Sequence, residues 1–205
     1  MKLYWCPQTR SSRAVWMLEE AGVDYELVHV DITKPERTAE HLAASPMGKV
    51  PALEDGEVKM WDSAAICLYV ADRYATGRLA PALDDPLRAR FVHWLIYSPA
   101  MIEPAMFESG LRTVVPEEHQ AEAFNPGRLG WGSFAKTIEV WEDGLGDGPW
   151  ILGDEFSAAD VMLGSSAVFL RMFGMLPESP VLEAYGDRCL ARPAFQKAQA
   201  AEGSG

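Results

Sequence analysis

The hydrophobic pattern of the first third of the chain alternates between strand and helix periods. Lys2 to Cys6 predicts a short buried strand, and Arg10 to Ala21 predicts a helix that Gly22 is suited to end. Tyr25 to Ile32 predicts a second strand, because apolar and polar positions alternate along it. A weaker helical pattern follows from Glu36 to about Ala44. The chain therefore begins in the order β-α-β-α.

Two further strands and a helix follow in the same region. Val50 to Leu53 and Val58 to Trp61 flank the dipeptide Asp55-Gly56, which favours a hairpin because both residues tolerate a positive φ. Ser63 begins a helix that runs to about Tyr74. The complete order, β-α-β-α-β-β-α, predicts a small mixed sheet covered by helices.

The pattern changes near residue 77. A segment that contains proline, alanine and aspartate predicts a linker, and only helical patterns follow it. Leu87 to Tyr97 is amphipathic, and Pro99 and Pro104 should bend or interrupt the chain beyond it. We therefore expect three parts, namely an α/β domain over 1–76, a linker over 77–84 and an all-α domain over 85–205.

Two helices of the second region have strong signals. Ser157 to Asp160 has the form of a capping box, with Phe156 and Val161 placed as a hydrophobic staple. The helix that follows is apolar nearly all round, which is typical of the middle of a core. An earlier helix has an apolar stripe at spacings of four, three and four, formed by Phe134, Ile138, Trp141 and Leu145.

Composition and charge exclude several classes of protein. The 205 residues are 48% hydrophobic, ample for a buried core, yet no stretch approaches the roughly 20 apolar residues of a membrane-spanning helix. The N-terminus lacks the apolar core of a signal peptide, so we expect a soluble, cytoplasmic protein. A net charge of −12 disfavours nucleic acid, although local donors could still bind a small anion.

The three cysteines do not predict a disulfide framework or a metal site. Cys6, Cys67 and Cys189 are an odd number at wide spacing, and the four histidines are scattered. Cys67 and Cys189 lie in predicted helices, where packing is the better interpretation.

Four segments resemble the cytosolic glutathione transferases and occur in the order of that family. They are Tyr4–Arg13, Pro46–Leu53, Asp62–Ile66 and Gly153–Asp160, and they cover both predicted domains. The resemblance implies a thioredoxin-like N-terminal domain that holds glutathione and an all-helical domain that shapes the second-substrate site. Theta-like, beta-like and nu-like bacterial members are all compatible with it.

The resemblance also implies a set of glutathione-binding residues. Pro51 would follow a cis peptide bond, so that the backbone of Val50 pairs with the cysteinyl unit of glutathione. Asp62 and Ser63 would hold the γ-glutamyl end at a helix N-terminus, where amides favour an anion. Lys49 would face the glycyl carboxylate. Two simpler interpretations stay open: Ser63 is only a helix cap, and Lys49 is a solvated lysine.

The residue that activates the glutathione thiol is less well defined. Theta, tau and phi members use a serine after the first strand, and that position falls here on Gln8 or, with a shift, on Thr9. The cysteine of beta members falls on Arg10, which we include among the glutathione-binding residues. We expect Ser11 or Thr9 to activate the thiol, with Ser12 behind them and Ser11 slightly favoured. Alternatively, Ser11 or Ser12 merely caps the first helix.

The function implied is conjugation of the glutathione thiolate to a small, apolar electrophile. We expect a homodimer with glutathione as co-substrate, and neither a metal nor another cofactor. The second-substrate pocket would draw on an aromatic and methionine-rich cluster, Trp94, Tyr97, Met101, Ile102, Met106 and Phe107, although most of these suit a core equally well.

Two alternatives to this function stay open. Cys6-Pro7 is similar to the start of glutaredoxins and omega-class transferases, which would imply a glutathione-dependent disulfide reductase or peroxidase, but no resolving cysteine follows. A non-catalytic binding protein with the same fold is the second alternative.

Overall fold

A computed structural model describes residues 1–203, apart from the side chains of residues 109 and 110. The described chain forms two compact units. The first consists of Met1–Arg88 together with the segment that begins at Asp187, and the second is Ala89–Gly186. The C-terminal segment therefore belongs to the first unit, whereas the sequence analysis assigned it to the helical domain.

The first unit contains a mixed four-stranded sheet in the order β2-β1-β3-β4. Strand β1 runs parallel to β2 and antiparallel to β3, and β3 and β4 form the expected hairpin, in which Asp55 pairs with Val58. Gly56 in the hairpin turn has a φ of 59°, as the turn requires. The strands are β1 (Lys2–Trp5), β2 (Glu26–His29), β3 (Ala52–Asp55) and β4 (Val58–Trp61).

Three helices accompany the sheet in the predicted order. They are α1 (Ser11–Ala21), α2 (Ala39–Ala44) and α3 (Ser63–Tyr74). Helix α1 ends at Gly22, whose φ of 68° accommodates the left-handed C-cap that the sequence predicted. The second strand is shorter than predicted, because the chain leaves the sheet after His29 and Ile32 is exposed.

The two faces of the sheet bury different sets of residues. Successive side chains of β1 point to opposite faces, so Leu3 and Trp5 share one face and Tyr4 lies on the other. Tyr4 packs with Ala44 of α2 and Ala52 of β3, and two partly buried valines, Val28 and Val30, complete this cluster. Helix α2 therefore lies over the Tyr4 face.

The end of the chain packs on the first helix. Helix α9 spans Pro180–Leu190, and α10 spans Pro193–Glu202. The rings of Trp16 and Phe195 meet edge to face with centroids 4.9 Å apart, and Arg192 makes a bidentate ion pair with the buried Glu20. These contacts explain why α10 joins the first unit.

The second unit is all-helical, as predicted. Its helices are α4 (Arg88–Tyr97), α5 (Glu103–Arg112), α6 (Glu117–Ala123), α7 (Phe134–Leu145) and α8 (Ala158–Met172). The expected interruption near Pro99 takes the form of a π-helical turn, Ser98–Ile102, after which Pro104 lies in the first turn of α5. A proline is tolerated there because first-turn amides have no partner within the helix.

Polar as well as apolar contacts fill the core of this unit. The predicted stripe of α7 buries Ile138, Trp141 and Leu145. The Tyr97 hydroxyl donates to the Thr137 carbonyl at 2.9 Å, and burial raises the pKa of Tyr97 to about 12. Across residues 1–203, no helix is long and apolar enough to cross a bilayer.

Candidate functional site

The loop between β1 and α1 holds a compact hydroxyl network. Thr9 Oγ1 lies 2.7 Å from the Cys6 carbonyl oxygen and 2.9 Å from Ser11 Oγ. The Ser11 amide donates to Thr9 Oγ1 at 3.1 Å, and the Cys6 amide donates to Ser11 Oγ at 3.3 Å. The two candidate hydroxyls that the sequence singled out therefore contact each other.

The two hydroxyls differ in their exposure. Ser11 is completely buried at 0%, whereas Thr9 is partly exposed. Because a hydroxyl has one proton, Thr9 can donate either to the Cys6 carbonyl or to another acceptor. When the Thr9 hydroxyl directs its proton away from the Cys6 carbonyl and the Ser11 oxygen, the Ser11 hydroxyl can donate to Thr9 Oγ1. Thr9 is thus the more exposed of the two residues, and Ser11 lies behind it.

Ser12 is engaged on another side. Its hydroxyl hydrogen-bonds the carboxylate of Glu202 at the end of α10, which lowers the pKa of that carboxyl while burial raises it more strongly. The sequence offered no signal for this contact, because 190 positions that form no local motif separate the partners. Ser12 therefore has a structural partner within the first unit.

Arg10 and Cys6 flank the hydroxyl network. Arg10 occupies the N-cap position of α1 with helical backbone angles, and its side chain does not cap the helix. Cys6 is partly exposed and forms no disulfide, and its backbone N–H and C=O both take part in the network. Cys67 is fully buried, and its burial raises the pKa of the thiol to about 12, which agrees with its predicted packing role.

The Val50-Pro51 peptide bond is cis, as the resemblance implied. Val50 is half-buried and lies just before β3. Among the described residues, no protein group hydrogen-bonds the N–H or the C=O of Val50. This peptide edge can therefore pair with the backbone of an extended ligand.

Lys49 precedes this peptide and has two distinct parts. Its side chain is exposed and lies in no ion pair within residues 1–203, so it can reach a ligand carboxylate. Its backbone is held on both sides, since the N–H donates to Ser45 Oγ at 3.1 Å and the carbonyl lies 3.1 Å from His41 Nε2.

Asp62, and not Ser63, is the N-cap of α3. Its Oδ1 accepts the amides of Ala64 at 2.9 Å and Ala65 at 3.2 Å. The resemblance implied that the amides of this helix bind a ligand carboxylate, but Asp62 occupies two of them. The second oxygen, Oδ2, carries no hydrogen bond in the described part of the chain and is free for an ammonium group.

Ser63 is the first residue of α3 and is nearly buried. Neither its amide nor its hydroxyl has a hydrogen-bond partner among residues 1–203. Two unpaired donors at a helix N-terminus can bind a small anion, because the helix dipole adds to the hydrogen bonds. Ser63 therefore retains the binding capacity that the cap interpretation denied it.

Backbone strain is concentrated at this site. Gln8, with a φ of 57°, and Asp62, with a φ of 80°, are the non-glycine residues in the described chain that adopt positive φ. Such angles persist only where the surroundings impose them, and they are common at functional sites. Gln8 lies between Cys6 and Thr9 of the hydroxyl network, and Asp62 caps α3, so positive φ occurs in both parts of the candidate site.

Three side chains that the sequence analysis did not predict hold the segment before Pro51. His41 and Ser45 hold the Lys49 peptide, and Arg37 Nε donates to the Gly48 carbonyl at 3.0 Å. The partners are only 4 to 11 positions apart, but no motif predicts these contacts, because they depend on how the chain folds back after α2.

The predicted second-substrate cluster divides into core and surface. Trp94, Tyr97 and Ile102 are buried in the second unit, whereas Phe107 is 55% exposed. Met101 and Met106 are partly buried. The first three are therefore core residues, as the alternative interpretation allowed.

Comparisons with known proteins agree with this arrangement. Residues 1–72 match the family described as the glutathione S-transferase N-terminal domain, and residues 80–188 match its C-terminal domain. The probable glutathione S-transferase GSTF2 of Oryza sativa subsp. japonica is 34% identical over an alignment of 213 positions, gaps included, that covers 96% of this chain and 94% of the relative.

Solved structures give the same result. A glutathione transferase from Methylococcus capsulatus superposes with a TM-score of 0.82 at 30% identity and covers 98% of each chain. A sphingomonad glutathione S-transferase complexed with glutathione superposes with a TM-score of 0.78 at 30% identity and covers 99% of each chain.

Proposed function

The chain belongs to the glutathione S-transferase family, and on that premise we propose that it binds glutathione beside Val50 and Ser63 and activates the thiol at the start of α1. The observation that carries the proposal is the set of free donors and acceptors in the first unit. The Val50 peptide edge, the Ser63 amide and hydroxyl and Asp62 Oδ2 have no protein partner in the described chain.

Each free group matches one part of glutathione. The N–H and C=O of Val50 pair with the cysteinyl backbone, as an added strand would. The two donors of Ser63 bind the γ-glutamyl carboxylate, and Asp62 Oδ2 accepts from the γ-glutamyl ammonium. Lys49 faces the glycyl carboxylate, and Arg10 adds positive charge at the start of α1. A protein of net charge −12 can bind this anion because the donors are local.

Thr9 donates to the sulfur, and Ser11 supports Thr9. The sulfur of glutathione reaches the partly exposed Thr9 hydroxyl, which turns from the Cys6 carbonyl toward the thiolate. Ser11 then donates to Thr9 Oγ1, so that the proton of each hydroxyl is used once. This order reverses our preference from the sequence, because Ser11 is fully buried. A donor on the sulfur favours thiolate over thiol and lowers the thiol pKa.

The thiolate then attacks a small, apolar electrophile. The sulfur forms the new carbon–sulfur bond, and the leaving group departs with the electron pair of the bond that breaks. The family resemblance supports a homodimer in the cytoplasm that uses glutathione as co-substrate and needs no metal or other cofactor. The exposed Phe107 supports an apolar second substrate.

The pKa of bound glutathione tests the assignment of Thr9. We expect Thr9→Val to raise this thiol pKa by about one unit or more, because the donor to the sulfur is lost. Thr9→Ser, the matched control, keeps the hydroxyl and should keep the wild-type pKa. Ultraviolet absorbance of the thiolate, followed against pH at saturating glutathione, measures it in each variant. A wild-type pKa in Thr9→Val together with a raised pKa in Ser11→Ala would return the role to Ser11.

Thiol-disulfide exchange is the second candidate function. The partly exposed thiol of Cys6 at the end of β1 is the observation that favours it. Cys6→Ser should leave conjugation of glutathione to an aryl halide unchanged if the protein is a transferase. Loss of reductase activity toward a mixed disulfide in Cys6→Ser, with no conjugation by the wild type, would favour exchange instead.

A further inference from the structure

The Lys49 peptide is held from both sides by the segment that precedes it. Its N–H donates to the fully buried Ser45, and its carbonyl accepts from His41 Nε2. A carbonyl can only accept, so the proton of the imidazole resides on Nε2. Lys49 is followed directly by Val50 and the cis bond to Pro51. The Lys49 carbonyl and the Val50 N–H belong to one planar peptide unit, so the hydrogen bond from His41 acts directly on the backbone that would pair with glutathione.

Apolar packing alone gives α2 a weak hold on the sheet. This helix has six residues, of which only His41 and Ala44 are buried. An open cavity of about 130 Å³ borders this helix at His41 and is otherwise lined by Tyr4 and residues of the segment 28–38. A six-residue helix with two buried side chains gains little from burial. Polar contacts therefore contribute to its position relative to Lys49.

The surroundings of His41 indicate a single polar task. The ring is 1% exposed and stacks on Tyr4 with centroids 5.2 Å apart. Its other nitrogen, Nδ1, is buried and has no hydrogen-bond partner within residues 1–203. An imidazole with one unpaired nitrogen is a costly core residue compared with a phenyl ring. The bond to the Lys49 carbonyl is the contact that a phenyl ring would lose.

We propose that His41 is a positioning residue for glutathione binding: its Nε2–H orients the Lys49 carbonyl and thereby aims the Val50 peptide at the cysteinyl backbone. The inference rests on the proposed function, since it assigns the orienting group of the same site. His41 touches neither the ligand nor the sulfur. It therefore acts on affinity for glutathione and leaves activation of the thiol to Thr9.

Three substitutions at His41 separate the donor from the ring. His41→Phe keeps an aromatic ring without a donor, and we expect the dissociation constant of glutathione to rise about tenfold. His41→Gln places an amide nitrogen near the position of Nε2 and should bind glutathione within about twofold of wild type. His41→Asn is one carbon shorter, cannot reach the Lys49 carbonyl, and should resemble His41→Phe. Calorimetric titration with glutathione measures all three.

Two further measurements distinguish positioning from general destabilisation. With an aryl halide as the electrophile, the KM for glutathione should rise in His41→Phe while kcat stays within about twofold of wild type. The pKa of the bound thiol should stay at its wild-type value. A variant that merely unfolds in part would instead lose kcat at constant KM, because the remaining folded molecules bind normally.

The outcomes are distinct for the two proposals. Wild-type affinity in both His41→Phe and His41→Asn would overturn the positioning role and leave the proposed function intact. Equal weakening in His41→Gln and His41→Phe would also overturn it, since the ring and not the donor would then matter. If His41→Phe fails to fold, the comparison of His41→Asn with His41→Gln decides. Absence of glutathione binding by the wild-type protein would overturn the proposed function itself.

Discussion

Two helices of the described chain have an aspartate in the structure that caps their start. Asp62 is the N-cap of α3, whereas Asp160 is the third residue of α8 and completes a capping box with the N-cap Ser157. The two carboxylates differ in how many of their acceptor sites are used. At the start of α3, Asp62 is exposed and uses one oxygen to accept two amides. At the start of α8, Asp160 is fully buried and uses both oxygens. Its Oδ1 accepts from the Ile151 amide and the Tyr185 hydroxyl, and Oδ2 accepts from the Ser157 amide and hydroxyl.

The difference between the two caps separates a binding role from a structural one. Both carboxylates benefit from the positive end of a helix dipole. Asp160 has every acceptor site directed at the protein, so nothing is left for a ligand. Asp62 keeps one oxygen free beside the free donors of Ser63. An aspartate at a helix start can therefore be closed to a ligand, when the protein uses all of its acceptor sites, or open, when one of its oxygens is left unused.

The closed cap should show the largest effect on stability. Asp160→Ala leaves the buried amides of Ile151 and Ser157 and the hydroxyl of Tyr185 without an acceptor. Each unsatisfied buried donor costs about 1–3 kcal/mol, so we expect a loss of about 3 kcal/mol or more in the free energy of unfolding. Urea melts should show a lower midpoint with an unchanged slope.

The free energy of unfolding of wild type and of Asp160→Asn, measured at several pH values, isolates the effect of the charge on Asp160. Burial raises the pKa of Asp160 from its ordinary value of 3.8 to about 6, although four hydrogen bonds oppose the shift. A raised pKa in the folded state means that ionisation costs stability, and this cost vanishes as pH falls through 6 toward 4. The stability of wild type relative to Asp160→Asn should therefore increase by about 2–3 kcal/mol between pH 7 and pH 4. A flat difference would mean that the hydrogen bonds offset the burial, and a decrease toward pH 4 would mean that they outweigh it.

The open cap should affect binding more than folding. Asp62→Asn keeps an oxygen that can accept the helix amides, so the free energy of unfolding should change by less than about 0.5 kcal/mol. It removes the charge that faces the γ-glutamyl ammonium, and Ser63→Ala removes a donor to the carboxylate. Each change should weaken glutathione binding about tenfold in a calorimetric titration.

Asp62→Ala is a control that should affect both glutathione binding and stability. It removes both the cap and the charge, so it should weaken binding and also lower stability by about 1 kcal/mol. If Asp62→Asn and Ser63→Ala both bind glutathione as wild type does, the unused groups at α3 are not a ligand site. An unused acceptor at a helix start would then not indicate a binding role.

Local signals explain which features could be predicted from the sequence. The capping box at Ser157, the hairpin at Gly56 and the end of α1 at Gly22 each depend on a few neighbouring residues, and the structure confirms all three. The cis bond at Pro51 came from the resemblance, and the structure also confirms it. These features do not require knowledge of how distant segments meet.

Features that depend on distant segments could not be predicted. The order of exposure of Thr9 and Ser11 depends on how the loop folds back on β1, and no periodicity reports a single loop side chain. The hydrogen bond between His41 and the Lys49 carbonyl depends on where α2 lies. The hydrogen bond between Ser12 and Glu202 depends on where α10 lies. Asp62 replaced Ser63 as the cap because the two residues are adjacent and both are good caps, so a shift of one position decides.

The start of α1 is a third helix start to compare, and a change at its residue Ser12 should have the smallest effect on glutathione. The Ser12 hydroxyl already donates to the carboxylate of Glu202. A carboxylate is a stronger acceptor than the Cys6 carbonyl to which Thr9 donates, so we expect Ser12 to keep its partner when glutathione binds. Ser12→Ala should therefore change the pKa of bound glutathione by less than about 0.3 units, against about one unit for Thr9→Val. It should cost about 0.5–1 kcal/mol of stability at neutral pH, and this loss should shrink as Glu202 protonates at low pH, because the hydroxyl bonds the charged carboxylate more strongly than the neutral one. Thiolate absorbance and urea melts at pH 7 and pH 4 measure both quantities. A rise of a full unit in the pKa of the bound glutathione thiol in Ser12→Ala would mean that the Ser12 hydroxyl turns from Glu202 to the sulfur when glutathione binds. The hydrogen-bond partners of the free protein would then not indicate which helix starts can bind a ligand.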